Sequence, residues 1–387
     1  MKVKLLNKIA AIGTDQLDKN IYEVGADIEN PDAILVRSAA MHDMEFNTEL
    51  KAIARAGAGV NNIPIDRCSK EGIVVFNTPG ANANAVKELA ICALLLASRD
   101  VIGGIKWAES LEGTEGVAKA VEAGKSKFAG HELLGKTLGV IGLGAIGGMV
   151  AGAAIELDMN VVGCDPFISI AGAWHLNQNV RQAATYDEVY KECDYITLHV
   201  PVTEQTKKMI IKDAIAKMKD GVKIINLARA DLVDAAALKE GLESGKISAY
   251  VTDFPTEDIL GLKNVIAIPH LGASTEEAED NCAVMAAKQL DNYLRYGVIK
   301  NSVNFPNVDM LPSTAVRVCV LHANVPAVIS SVTTALSSEG LNIENLMNKS
   351  KGDNAYTVLD VCGDVSAEAE KKLSEIANVF AIRVIKK

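Results

Sequence analysis

From residue 137 onward the chain alternates short β-type runs with helical segments, and that alternation restricts it to one architecture. The predicted strands are 137–142, 160–165, 195–200, 222–228, 249–254 and 264–270, with helical stretches such as 235–245 between them. Strands joined by short helical crossovers make a parallel, doubly wound sheet. The first ninety residues repeat the pattern more loosely, with apolar runs at 33–38, 50–57 and 72–79 that end in polar or turn residues. A long, largely buried helix is predicted over 83–100 and an amphipathic one over 274–297. Residues 301–314 contain two prolines and several asparagines and read as a linker. A small α+β unit follows over 315–387.

The most informative motif is Gly142-x-Gly144-x-x-Gly147. It follows a predicted strand and opens a helix, and Asp165 closes the next strand. That context is what a dinucleotide fingerprint requires. The glycines let backbone amides at a helix N-terminus approach a pyrophosphate. Asp165 would accept hydrogen bonds from ribose hydroxyls and repel a 2′-phosphate, which favours NAD over NADP. The glycines also explain residues 138–155, which carry no charge over 18 positions. Six of those positions are glycine, so the run is a strand and helix start rather than a membrane span.

In open α/β sheets, ligands bind beyond the carboxyl ends of the strands. Asp165, His199, Arg229, Asp253 and His270 all fall at or just after such an end, and Glu257 follows Asp253 by four residues. Removing a hydride from a secondary alcohol needs a base for the hydroxyl proton, and imidazole titrates in the right range, which nominates His270. Glu257 is the candidate carboxylate to orient it. Arg229 is the candidate grip for a substrate carboxylate, since guanidinium binds carboxylates bidentately. Together these residues point to oxidoreduction of a 2-hydroxyacid.

Composition removes other classes. Lys and Arg total 39 against 49 Asp and Glu, a formal charge of −10, so nucleic acid is not an expected partner. The seven cysteines contain no CxxC pair and the six histidines no HxxxH pair, so neither a disulfide framework nor a metal site is expected. The N-terminus shows no signal-peptide pattern, and a cytoplasmic protein is expected.

At these residues the sequence resembles the D-isomer-specific 2-hydroxyacid dehydrogenases. The likeness runs over nearly the whole chain, through 34–40 (ILVRSAA), 55–63 (RAGAGVNNI), 74–90, 135–147, 198–207, 225–234 (INLARADLVD), 254–257 (FPTE) and 269–275 (PHLGAST). It implies an α/β fold class with two doubly wound Rossmann-like domains. These are a flavodoxin-like substrate domain of 1–92 and 284–304, and an inserted NAD-binding domain of 93–283. A ferredoxin-like ACT domain would follow at 315–387. Arg229, Glu257 and His270 match the family's catalytic triad. NAD would lie against Gly142, Gly144, Ala145, Ile146, Gly147, Asp165, His199, Pro201, Thr206, Leu227, Ala228, Asp253, Gly272 and Ala273.

Within the family the likeness is strongest to the branch that oxidises 3-phospho-D-glycerate in L-serine biosynthesis. It implies that Arg37, Ser38, Arg55 and Gly57 face the substrate, with Lys70 or Lys125 as further cations, since a phosphate carries about two negative charges. Related activities on the same scaffold are hydroxypyruvate or glyoxylate reduction, and, in another class, NAD-sensing corepressors that keep the triad. The ACT-like tail implies an L-serine effector held by His322, Asn324 and Asn342. Such enzymes form homodimers or homotetramers. Three positions depart from the family pattern: Ala145 replaces an Arg, Thr252-Asp253 shifts an acid by one residue, and Ala327 replaces a turn glycine. A one-residue shift within a strand reverses its face. Alanine is costly wherever a turn requires positive φ.

Overall fold

The computed structural model of the chain describes residues 1–386, which form two compact units: 1–82 with 276–386, and 83–275. The expected cuts at 92/93 and 283/284 would divide two helices. The chain instead crosses between units at the helix starts. Helix Ala83–Ser98 buries Ala90, Ala93 and Leu94 in the core of the second unit, and helix Glu276–Tyr296 buries Cys282, Ala283 and Ala286 in the first.

The first unit begins with β1 (Lys2–Leu5), β2 (Glu23–Gly25), β3 (Ala33–Val36), β4 (Ala52–Arg55) and β5 (Val74–Phe76). They form a parallel sheet in the order β2-β1-β3-β4-β5, the flavodoxin-like arrangement. All residues of β3 and β5 are buried, as expected for strands covered on both faces.

The second unit contains β6 (Thr137–Ile141), β7 (Asn160–Cys164), β8 (Arg181–Gln182), β9 (Tyr195–Leu198), β10 (Val222–Asn226), β11 (Ile247–Thr252) and β12 (Val265–Ala267). Their order is β12-β11-β10-β9-β6-β7-β8, all parallel. The connections reverse direction between β6 and β9, which creates the switch point where ligands bind in such sheets. The two-residue edge strand β8 is too short to leave a periodic signal, and the sequence reading omits it. Among the described residues no helix is long and apolar enough to cross a membrane.

The C-terminal residues of the first unit form β13 (Val316–Ala323), β14 (Asn342–Lys351), β15 (Asn354–Cys362) and β16 (Val379–Lys386), an antiparallel sheet in the order β14-β15-β13-β16. With helices Val328–Ser338 and Ala367–Ser374 this is the βαββαβ arrangement that the resemblance implies. The residues expected as a linker are instead packed. Phe305 is fully buried, and Asn304 accepts from Val75 N and donates to Ile73 O and Ser69 Oγ. The sheet is then tied down by a buried ion pair. Arg317 Nε and Nη2 donate to Asp360 at 2.7 and 3.0 Å, and Arg317 Nη1 donates to Tyr296 O. Burial alone would raise the Asp360 carboxyl, but the bonds from Arg317 and Ser313 hold it below the ordinary range. Such a pair fixes geometry, since stranding one buried partner costs about 3–5 kcal/mol.

Ala327 precedes helix Val328–Ser338 at φ 73° and ψ −13°. The turn does require a left-handed residue, and alanine occupies it at a cost of about 1–2 kcal/mol. Ala327→Gly is therefore expected to stabilise the chain by about 1 kcal/mol, read as a higher urea midpoint. An unchanged or lower midpoint would show that the turn carries no strain.

Candidate active site

The glycine motif sits at the switch point. Gly142 follows β6 at φ 90°, and a Cβ there would lie 2.7 Å from the carbonyl oxygen of His199, the residue after β9. A Cβ on Gly147 would fall 1.9 Å from Gly142 O, so only glycine lets helix Ala145–Glu156 start this close to the strand. Gly144 is different: its Cβ would meet nothing within 4 Å. It is the residue before the helix, and no side chain caps the first-turn amides of Ala145, Ile146 and Gly147. Uncapped amides, the positive end of the helix dipole and open space make a ready anion cradle.

Asp165 braces this loop. Its Oδ2 accepts from Leu143 N at 2.8 Å and its Oδ1 from Phe167 N at 2.9 Å. Each carboxylate oxygen keeps a further lone pair for a ribose hydroxyl. Thr206 is turned inward, donating from Oγ1 to Pro201 O at 2.6 Å, so it shapes the 201–206 loop.

His199 Nε2 lies 2.9 Å from Thr197 Oγ1, and burial pushes the ring down to about 4. An unfolded histidine takes up its proton near pH 6.5. The unfolded state therefore binds the proton first, and stability falls as pH drops from 6.5 toward 4. We expect His199→Gln to remove about 1–2 kcal/mol of the stability difference between pH 7 and pH 5, measured by urea unfolding at both. An identical difference in parent and variant would contradict it.

Arg229 is positioned by a residue that the sequence reading overlooked. Asn226, fully buried at the end of β10, donates from Nδ2 to Arg229 O at 2.8 Å. It accepts on Oδ1 from Ala228 N and Arg229 N. This fixes the Leu227-Ala228-Arg229 turn. The Arg229 guanidinium lies 5.2 Å from the centre of the Phe254 ring, and the His270 ring lies 4.5 Å from the same centre. Phe254 therefore packs against both Arg229 and His270. Its proximity to both was not readable from the local sequence. Glu257 is exposed and shows no bond to His270. His270 itself has φ 20°, held by its N–H to Asp253 O at 2.9 Å.

Asp253, expected among the NAD contacts, is also the acid shifted by one residue from the family pattern. β11 ends at Thr252, so strand alternation no longer governs the next residue. Asp253 is buried, and its Oδ2 accepts from Gly272 N at 3.0 Å, with Ala273 next in the chain. Its Oδ1 is buried without a hydrogen-bond partner. Burial raises this carboxyl above the ordinary range, against the pull of the Gly272 amide. An orphaned buried acceptor, the open cradle at Gly144 and the acid at β7 together fit a dinucleotide.

In the first unit, Arg37 and Ser38 follow β3, Arg55 ends β4 and Gly57 lies two residues beyond it. Arg55 Nε donates to Arg37 O at 3.0 Å. A Cβ on Gly57 would meet Arg55 Nη1 at 2.3 Å, so glycine here makes room for the guanidinium. Lys125 pairs with Glu122 at 2.6 Å on a separate helix. In the antiparallel sheet, His322 is buried, with Nδ1 2.8 Å from Ala323 O and Nε2 2.8 Å from Thr357 Oγ1. Asn324 donates to Gly352 O, and Asn342 donates to Glu344. His322 pairs with Ala355 and Asn342 with Cys362, so within one chain they stand seven residues apart along β15, about 24 Å. One copy of the chain does not bring these three together.

Residues 95–272 match the family model described as D-isomer specific 2-hydroxyacid dehydrogenase, NAD binding domain. The chain is 39% identical over 288 residues to the hydroxypyruvate reductase of Thermotoga maritima, covering 71% of this chain and 87% of that protein. The chain belongs to the D-isomer specific 2-hydroxyacid dehydrogenase family, and NAD is the cofactor of its nucleotide-binding unit. Within the family it is 36% identical over 333 residues to the D-3-phosphoglycerate dehydrogenase of Archaeoglobus fulgidus, covering 80% of this chain and 60% of that protein. A similar solved structure is the NAD+-bound 3-phosphoglycerate dehydrogenase of Entamoeba histolytica, with a TM-score of 0.61 at 29% identity, covering 79% of this chain and 98% of that one. The chain spans little more than half the length of several curated relatives it matches.

Proposed function

We propose that the chain oxidises 3-phospho-D-glycerate to 3-phosphohydroxypyruvate, the entry reaction of L-serine synthesis. The observation that carries this reading is that Arg229 and His270 both pack against Phe254, in the unit that also holds the open glycine cradle. NAD, when bound, supplies the acceptor for the hydride from C2. Arg229 binds the substrate carboxylate and polarises the C2 oxygen. His270 takes the proton of the 2-hydroxyl at a ring nitrogen and returns it in the reverse direction. Glu257 is the acid assigned to orient that ring in the loaded enzyme. Gly142, Gly144, Ala145, Ile146 and Gly147 hold the pyrophosphate, Asp165 the adenosine ribose, and the free Asp253 oxygen a donor of the cofactor. Arg37 and Arg55 bind the phosphate of the substrate. The same reading makes the protein cytoplasmic and a homo-oligomer, with L-serine as its candidate effector.

The test is oxidation of NADH by the purified protein with 3-phosphohydroxypyruvate, hydroxypyruvate or glyoxylate, each with and without L-serine. The reading expects kcat/KM to be highest for the phosphorylated acid. A preference for hydroxypyruvate, the substrate named for the Thermotoga relative, would move the chain to the reductase branch.

A further inference from the structure

Two neighbouring strands of the first unit, β3 and β4, deliver two arginines to the carboxyl end of the sheet. The loop after β3 is rigid, because Asn7 Oδ1 accepts from three successive amides, Arg37 N, Ser38 N and Ala39 N, at 2.9–3.1 Å. Arg55, the last residue of β4, is bonded to that loop through Arg37 O. Two guanidinium groups are thus tied to one small region. Arg37 has a carboxylate beside it. Arg37 Nη2 lies 2.6 Å from Glu279 Oε1, in the first turn of helix Glu276–Tyr296. The two side chains are 41% and 44% exposed, so a solute can reach both.

From this geometry we infer that Glu279 is a resident counter-anion for Arg37, and that it sets how strongly the protein selects a substrate ending in a phosphate. The inference rests on the proposed role of Arg37 in phosphate binding. A dianion can bind Arg37 only by displacing the Glu279 carboxylate, which then remains close by as a like charge. A substrate ending in a neutral hydroxymethyl group meets no such competition. Glu279 therefore weakens phosphorylated ligands selectively and keeps free inorganic phosphate from occupying the cluster.

The test compares the parent with Glu279→Gln, using KM and kcat for 3-phosphohydroxypyruvate and hydroxypyruvate, and inhibition by inorganic phosphate. An exposed ion pair is worth up to about 1 kcal/mol, so KM for the phosphorylated acid is expected to fall about fivefold, with the preference over hydroxypyruvate rising by the same factor. The inhibition constant of phosphate falls in parallel. In an Arg37→Gln background the Glu279 substitution loses this effect. Equal changes for both substrates, or a weaker phosphorylated substrate, would overturn the inference and leave Glu279 as a brace for Arg37. If the parent prefers hydroxypyruvate, the proposed function fails, and the phosphate inhibition constant still decides on Glu279: a fall supports the counter-anion, and no change refutes it.

Discussion

His270→Gln is expected to lower kcat by about a thousandfold, the scale of a lost general base, while NADH still binds. Glutamine fills similar space and keeps polar atoms near the ring position. It cannot take a proton. The backbone of His270 is held by the Asp253 carbonyl, and its ring sits against Phe254. The substitution therefore removes the proposed proton acceptor with little disturbance of its frame. Stopped-flow absorbance gives the turnover and NADH fluorescence titration gives the binding. Turnover within tenfold of the parent would remove His270 from the reaction.

The second large effect separates two glycines of one motif. Gly147→Ala places a methyl group 1.9 Å from Gly142 O, a backbone atom in a strand end that cannot yield cheaply. The helix must move, and a loss of about 3 kcal/mol or more is expected, with a much lower Tm. Gly144→Ala meets nothing within 4 Å and has φ −68°, which alanine adopts freely. Its Tm stays at the parent value. Its methyl group projects into the cradle, so Kd for NADH rises by about tenfold, the equivalent of about 1.4 kcal/mol. Gly144→Ala with unchanged NADH affinity would mean that the cradle does not hold the cofactor.

The two parallel sheets were legible because strands buried on both faces are short apolar runs, as in Ala33–Val36 and Thr137–Ile141. β14 was not read from its own residues. Asn342–Lys351 is largely exposed and polar, and its pairing comes from β15 rather than from any apolar pattern. The supposed linker failed for a related reason. Proline and asparagine mark irregular backbone, yet Asn304 uses its amide to pair otherwise buried groups, so irregular chain became core. In the site, residues on strand ends could be nominated from topology. Their partners could not. Phe254 meets Arg229 from 25 positions away in the chain and His270 from 16, and Glu279 reaches back to Arg37. Those contacts depend on how loops close, which local periodicity does not encode. Asp253 is the clearest case: the alternation argument assumed a strand to residue 254, and the strand stops at Thr252, one residue before the acid.

The proposed reaction moves a hydride from C2 of a phosphorylated D-hydroxyacid to NAD. The most direct measurement supplies 3-phospho-D-glycerate deuterated at C2 together with NAD, and follows the label by mass spectrometry of the reduced cofactor. The account predicts that the deuterium appears in the reduced cofactor one-for-one with 3-phosphohydroxypyruvate, and that the unphosphorylated D-glycerate reacts far more slowly. Reduced cofactor without the label, or equal rates on the two acids, would contradict it.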